Sequence, residues 1–131
     1  MISKAMVVLA VAAVSGLGGL AATGEGDARA DGRTLSAIQD TAGKAIFMGK
    51  GLCHVCHGAD GKGTALAPNL TDDKWLHSDG SVENIVKTIK TGVPQPKEHP
   101  APMAPMGGAQ LTEAEVQAVA RYVYALSHPS K

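Results

Sequence analysis

The sequence predicts an all-α fold. Three segments carry apolar residues at the three- and four-residue spacing of amphipathic helices, and no segment has the alternating pattern of a half-buried strand. Residues that typically begin or end helices flank each of the three segments. The chain has 131 residues, which is the length of a single domain. We therefore expect one small helical domain.

The first thirty residues are typical of an export signal rather than of a folded domain. A lysine near the start precedes an uncharged apolar run from Ala5 to Ala22, and a polar stretch then ends in Ala28-Arg29-Ala30. A positive start, an apolar run and an A-x-A site are the features of a secretory signal peptide. We expect a signal peptide over residues 1–30 and a folded domain over residues 31–131, located in the bacterial periplasm. The alternative is a retained membrane anchor, since the run of 18 apolar residues just reaches the length that spans a bilayer.

The first helix is predicted from about Asp40 to Lys50. Asp40 or Thr41 can cap its amino terminus, and Gly51 can end it. Its expected buried face consists of Ala42, Ala45, Ile46 and Phe47.

The second helix is predicted from about Val82 to Thr91, with Ser81 or Asp79 as its cap. Gly92 stands where a glycine commonly ends a helix. The apolar residues recur at intervals of three and four, as expected for one buried face: Val82, Ile85, Val86 and Ile89.

The third helix has the strongest amino-terminal signal. Thr112 and Glu115 form the capping-box pattern, in which each side chain accepts a hydrogen bond from the other residue's backbone N–H. Pro129 prevents extension of the helix beyond its last turn. The expected buried stripe consists of Val116, Val119, Ala120, Val123 and Leu126, with Tyr122 at its edge.

The composition indicates that something other than side chains contributes to the core. Only four residues are aromatic, and the segments between the predicted helices, 58–81 and 92–110, are rich in glycine and proline. Long loops in a small domain usually have a function, such as surrounding a bound group. The 12 basic and 12 acidic residues cancel to a net charge of zero, which argues against a nucleic-acid-binding protein, because such proteins carry a basic excess.

Cys53-His54-Val55-Cys56-His57 has the C-x-x-C-H spacing of covalent haem attachment. Two cysteines three residues apart on a helical turn can place their sulfurs along one porphyrin edge and add to its two vinyl groups. His57 then points its imidazole at the iron, as in the usual proximal ligation, and its other ring nitrogen needs a hydrogen-bond acceptor. The sequence thus predicts one haem c per chain, with iron, attached through Cys53 and Cys56 and ligated by His57.

Three other uses of the cysteine pair fit the sequence less well. A structural disulfide suits an exported chain but does not need the adjacent histidine. A thioredoxin-like redox pair belongs to a βαβ context, which the pattern does not predict. A zinc site needs four ligands, and the sequence has no cysteines besides Cys53 and Cys56.

From about Thr41 to Ser127 the chain resembles the class I c-type cytochromes. The features that carry the resemblance, besides the haem motif, are Gly43 and Phe47 before it, Pro68-Asn69-Leu70 after it, a methionine-bearing loop, and Tyr122 on the last helix. Within this class, the segments 67–71, 105–108 and 111–112 are most similar to the cytochrome c domains of cbb-type haem–copper oxidases and their soluble relatives. The resemblance implies three to four helices wrapped around one covalently attached haem, with the first and last helices crossing near Gly43. It also implies that the Pro68 carbonyl accepts a hydrogen bond from His57.

The resemblance further implies a methionine as the second axial ligand, from a loop before the last helix. The family pattern Met-Pro-x-x-Gly-Gly, counted back from Gly107-Gly108, selects Met103, although Ala104 replaces the usual proline. Met106 is the alternative ligand, and His99 or an open site is a further one. Ligation by histidine and methionine raises the reduction potential relative to two imidazoles, so we expect a positive potential and little response to small ligands.

These features predict a periplasmic single-electron carrier and not an enzyme, because the sequence has no recognisable nucleophile or general-base constellation. The expected partners are redox proteins that donate and accept the electron, with no nucleic acid and no membrane contact unless the anchor is retained. We expect a monomer. One alternative is a cytochrome c subunit of an exported dehydrogenase or terminal oxidase complex. The other is a peroxidase-like enzyme or gas-sensing haem protein with an open sixth site.

Overall fold

A computed structural model describes residues 28–129 of the chain, with side chains from residue 37 onward. It contains four α-helices, α1 (Ala28–Met48), α2 (Cys53–His57), α3 (Val82–Thr91) and α4 (Glu113–Ser127), and a 3₁₀ segment at Pro105–Gly108. Between residues 28 and 129 there is no strand, and the only strand-like feature is an isolated antiparallel bridge between Val93 and Met103. The predicted all-α fold is confirmed.

The predicted signal peptide lies outside the described residues except for its last three, 28–30, which begin α1. In the part of the chain that the structure covers, no helix has both the length and the apolar character needed to cross a membrane.

The predicted start of α1 was wrong, because the helix begins at Ala28 and not near Asp40. The sequence from 28 to 40 contains no proline and several good helix formers, so nothing stops the helix there. Thr41 does not act as a cap. Its hydroxyl donates to the Ala37 carbonyl one turn earlier, at 2.8 Å, as threonine commonly does inside a helix.

The predicted buried face of α1 was also partly wrong. Phe47 is fully buried and Ile46 is half-buried, but Ala42 and Ala45 are exposed. Gly43 takes the buried position, since α1 crosses α4 there. A Cβ at residue 43 would overlap the Ala118 carbonyl oxygen and lie 2.5 Å from Tyr122 Cβ.

The predicted bounds of α3 are confirmed, and its predicted buried face is confirmed for Ile85, Val86 and Ile89, whereas Val82 is half-buried. The helix spans Val82–Thr91, and the Ser81 side chain accepts a hydrogen bond from the backbone N–H of Asn84. Gly92 follows with a φ of 68°, a value that glycine adopts more readily than other residues.

The predicted capping box of α4 is confirmed as well. Thr112 Oγ1 accepts from Glu115 N at 3.3 Å, and Glu115 Oε2 accepts from Thr112 N at 2.7 Å. The helix ends at Ser127, before Pro129.

The core lies where α1, α3 and α4 meet. The Phe47 ring packs edge-on against Tyr122, with the ring centroids 5.5 Å apart. The buried cluster consists of Phe47, Ile85, Val86, Ile89, Leu111, Val116, Val119, Ala120 and Val123. These three helices form the frame on which α2 and the two long loops are placed.

Candidate functional site

A cavity of about 260 Å³ is bounded by residues of all four helices and of the two long loops. Cys53, Cys56 and His57 line it from α2, and Met103 lines it from the loop that follows α3. Most of the remaining wall is apolar, including Phe47, Leu70, Trp75, Ile85, Ile89, Val119 and Val123. The cavity therefore brings together the cysteines, the histidine and one of the two candidate methionines.

A sharp turn between α1 and α2 presents the two cysteines. Gly51 N donates to the Ile46 carbonyl at 2.8 Å, and Leu52 then adopts a left-handed φ of 52°, which is uncommon for a residue other than glycine. α2 is a single turn, so Cys53 and Cys56 share one face of it. Both thiols are free and half-buried, and burial raises the pKa of the Cys53 thiol above its usual value.

A backbone carbonyl fixes the imidazole of His57. His57 Nδ1 lies 2.9 Å from the Pro68 carbonyl oxygen, the contact that the resemblance implied. A carbonyl only accepts, so Nδ1 carries the proton and Nε2 keeps its lone pair. Burial lowers the pKa of His57, although the Pro68 hydrogen bond opposes this. The neutral imidazole with a free Nε2 is the form that binds a metal.

The loop after α2 holds the Pro68 carbonyl in this position. Gly63 N donates to the His57 carbonyl at 2.8 Å, and Leu70 N donates to the Gly61 carbonyl at 2.7 Å. Gly63 has a φ of 80°, and a Cβ there would lie 2.6 Å from Asn69 N. The loop thus turns back on α2 with no room for a side chain at Gly63.

The two candidate methionines lie in different surroundings. Met103 lines the cavity, and its backbone forms the bridge to Val93 through two hydrogen bonds of 2.8 and 3.0 Å. Met106 is not among the lining residues and packs against the core from within the 3₁₀ segment, with a left-handed φ of 55°. His99, the further candidate, also lines the cavity.

The residues around the cavity fit a haem c. Two free thiols on one helical turn could attach the ring covalently, while a neutral imidazole with a free nitrogen and a thioether could ligate its iron. The apolar walls suit a flat organic ring. Among the described residues there is no group of three or more His, Cys, Asp or Glu side chains placed to hold a metal ion.

The contribution of α3 to the site was missed in the sequence. Ile85, Thr88 and Ile89 line the cavity, and Val93 joins them just after the helix. The sequence identified Gly92 as a helix-ending residue. It did not show that Gly92 contacts the backbone of residues 103–105, in the loop that carries Met103 (the methionine loop). Helix periodicity shows which face of α3 is buried, and it does not show what that face covers.

Comparison with known proteins identifies the family. Residues 41–127 match the family model described as cytochrome c. This chain belongs to the cytochrome c family. Its cytochrome c domain occupies the segment that contains the haem motif, α3, the methionine loop and α4.

The similar curated proteins are oxidase subunits. The chain is 43% identical over 85 residues to the cbb3-type cytochrome c oxidase subunit CcoP of Rubrivivax gelatinosus, which covers 65% of this chain and 25% of that protein. It is 37% identical over 97 residues to CcoP of Rhodobacter capsulatus, covering 72% and 32%. It is 36% identical over 95 residues to the subunit FixP of Azorhizobium caulinodans, covering 71% and 31%.

The chain thus spans a quarter to a third of the length of these relatives. No solved structure matches it at a significant level. The family match and the relatives support a haem c electron-transfer role for the cytochrome c domain.

Proposed function

We propose that this protein is a periplasmic single-electron carrier with one haem c, attached through Cys53 and Cys56 and ligated by His57 and Met103. The observation that carries the proposal is that all four side chains line one apolar cavity. Haem, when bound, supplies a reversible one-electron change at its iron. The polypeptide supplies the ligands, their orientation and a low-polarity surrounding.

Each residue has a distinct task in this proposal. The two thiols become thioethers and tether the ring to α2. His57 offers Nε2, because the Pro68 carbonyl holds the proton on Nδ1. Met103 offers a neutral thioether, which together with histidine favours a higher reduction potential. The walls from α1, α3 and α4 keep water from the ring, so little reorganisation accompanies the change in charge.

The ligands are tested with the purified holoprotein and the variants Met103→Leu and Met106→Leu. Of the two variants, we expect only Met103→Leu to lose the weak ferric iron–thioether absorption band, and its reduction potential should be lower than that of the unsubstituted protein. Met106→Leu should keep the band, because its side chain packs on the core outside the cavity. Loss of the band in Met106→Leu alone would contradict the assignment. Mass spectrometry of the exported product should give residues 31–131 plus one haem.

A second candidate is a cytochrome c subunit that relays electrons within a terminal oxidase complex. The names of the relatives favour it, since each is a subunit of a cbb3-type cytochrome c oxidase. Gel filtration and affinity purification of the native protein distinguish the two candidates. A lone small species supports the free carrier, whereas stable co-purification with an oxidase supports the subunit.

A peroxidase-like or gas-sensing role needs an open sixth position. Met103 on the cavity wall argues against it. Carbon monoxide should therefore bind slowly and weakly to the ferrous holoprotein, and rapid, tight binding would favour this alternative.

A further inference from the structure

We propose that Gly92, the residue that ends α3, positions Met103 as an axial ligand by allowing the two backbones to touch. Gly92 is a positioning residue, because it does not line the cavity itself. The inference rests on the proposed ligation by Met103. It concerns how the protein holds that ligand in place.

The contact leaves no room for a side chain at position 92. Gly92 is buried, and a Cβ there would lie 2.8 Å from Pro105 N, 2.9 Å from Ala104 C and closer still to the Met103 carbonyl oxygen. All three are main-chain atoms, which cannot rotate away as the end of a side chain can. The backbone angles of Gly92, φ 68° and ψ −173°, also belong to a region that is essentially restricted to glycine. Any side chain at this position must therefore displace residues 103–105.

Hydrogen bonds connect the same two segments. Val93 N donates to the Met103 carbonyl at 2.8 Å, and Met103 N donates to the Val93 carbonyl at 3.0 Å. On the other side, Gly92 N donates to the Thr88 carbonyl at 2.8 Å and closes the last turn of α3. The backbone of Met103 is thus attached to the end of a helix.

The helix is in turn attached to the core. Ile85, Val86 and Ile89 of α3 are buried in the main cluster, while Ile85 and Ile89 also line the cavity. The reach of the Met103 thioether into the cavity is consequently set by α3 through Gly92. If the contact is broken, the loop can move and the thioether is held less firmly at its place.

The test compares Gly92→Ala with two other glycine-to-alanine variants of the holoprotein. Gly43→Ala creates a backbone overlap of the same kind, but with Ala118 of α4 instead of with residues 103–105. Gly108→Ala changes a positive-φ glycine in the methionine loop that has no atom within 4 Å of the added Cβ. The readout is the affinity of the ferric protein for imidazole, which competes with the thioether, together with the ferric iron–thioether band.

We expect Gly92→Ala to bind imidazole about tenfold more tightly than the unsubstituted protein, a factor that corresponds to about 1.4 kcal/mol, and to weaken the band. Gly43→Ala and Gly108→Ala should stay within about twofold. An unchanged affinity in Gly92→Ala, or an equal change in Gly43→Ala, overturns the inference and leaves the proposed ligation intact. Retention of the band in Met103→Leu overturns the ligation and this inference with it.

Amide hydrogen exchange of the unsubstituted holoprotein gives a second measurement. It tests the inference about Gly92 even if Gly92→Ala yields no holoprotein. We expect the N–H groups of Met103 and Val93 to be protected to the same degree as that of Gly92, since they belong to one hydrogen-bonded unit. Exchange of the Met103 amide at the rate of an unstructured chain overturns the inference.

Discussion

At the scale of single residues, His57 shows how one backbone carbonyl determines what a side chain can do. The Pro68 oxygen at 2.9 Å places the proton on Nδ1 and leaves Nε2 as the free nitrogen. The residues of the haem motif are close together in the sequence, so their spacing alone predicted their chemistry. Met103 and Met106 also lie close together, and the family pattern counted back from Gly107-Gly108 favoured Met103. The structure adds what the pattern does not contain: only Met103 lines the cavity, whereas Met106 lies in a left-handed turn.

Gly43 provides a prediction at the same scale. Gly43→Ala should destabilise the holoprotein by about 1–3 kcal/mol, because the added methyl group overlaps the Ala118 carbonyl and forces α1 and α4 apart. The better helix propensity of alanine, worth up to about 1 kcal/mol, offsets part of the cost of the overlap, and about 1–3 kcal/mol is the expected net loss. Denaturant unfolding followed by circular dichroism gives the free energy of unfolding.

Lys44→Ala is the matched control for this prediction. Lys44 is the next residue on α1 and is exposed, so its truncation should change the free energy of unfolding by no more than about 0.5 kcal/mol. A Gly43→Ala variant as stable as Lys44→Ala would show that α1 and α4 do not touch at this glycine.

At the scale of elements, the beginning of α4 is joined to the segment before the haem motif. Glu115 closes the capping box with Thr112 and also forms an ion pair with Lys50 at 2.8 Å. The hydrogen bond from Lys50 and then that from the Thr112 backbone lower the pKa of Glu115 from 4.5 to about 2. One carboxylate therefore connects the first turn of α4 with Lys50, which lies in the turn before α2 and 65 residues earlier in the sequence.

The lowered pKa of Glu115 predicts how stability depends on pH. A carboxyl group whose pKa is lower in the folded state stabilises the fold above its unfolded pKa, and this contribution is lost as the pH falls through the folded value. The difference in free energy of unfolding between the unsubstituted protein and Glu115→Gln should be constant above pH 4.5 and shrink between pH 4.5 and about 2. Glutamine keeps an oxygen for Thr112 but not the charge that pairs with Lys50.

Two variants serve as controls for this titration. Lys50→Met should remove most of the same pH-dependent difference, because it removes the other partner of the ion pair. Gln95→Ala, a change between two neutral residues at an exposed position, should leave the pH dependence of stability nearly unchanged. A difference between the unsubstituted protein and Glu115→Gln that stays constant down to pH 2 would contradict the prediction.

The helix ends were predictable from the sequence where residues close to the end form the hydrogen bonds that begin or stop the helix. Ser81 and Gly92 bound α3, and Thr112 with Glu115 begins α4, since these residues form hydrogen bonds within a few positions of themselves. The beginning of α1 was not predictable in this way, because Asp40 and Thr41 are good caps that the helix does not use. Its buried face was misjudged because apolarity favoured Ala42 and Ala45, whereas the crossing with α4 requires the small surface of Gly43.

At the scale of the whole molecule, the core and the haem cavity share their walls. Phe47, Ile85, Ile89, Val119 and Val123 belong to the buried cluster and also line the cavity. These residues come from three helices that are far apart in the sequence. The motif could predict that a haem is attached, but only the fold shows which side chains surround it.

The shared walls predict that the protein without haem does not fold stably. If roughly 500 Å² of ring leaves water at about 25 cal/mol per Å², the gain is on the order of 10 kcal/mol, comparable to the whole stability of a typical domain. Without the ring, the inner faces of α3 and α4 border a cavity of about 260 Å³ that is lined by 28 residues. α3 has 10 residues and is too short to persist as a helix alone.

The double variant Cys53→Ala/Cys56→Ala, purified without haem, tests this prediction. We expect it to lose most of its helical circular dichroism signal and its cooperative unfolding transition in urea. The capped α4 should keep the most residual helix. The holoprotein under identical conditions is the control, and a haem-free chain with the same helix content and an equally sharp transition would mean that α1, α3 and α4 pack without the ring.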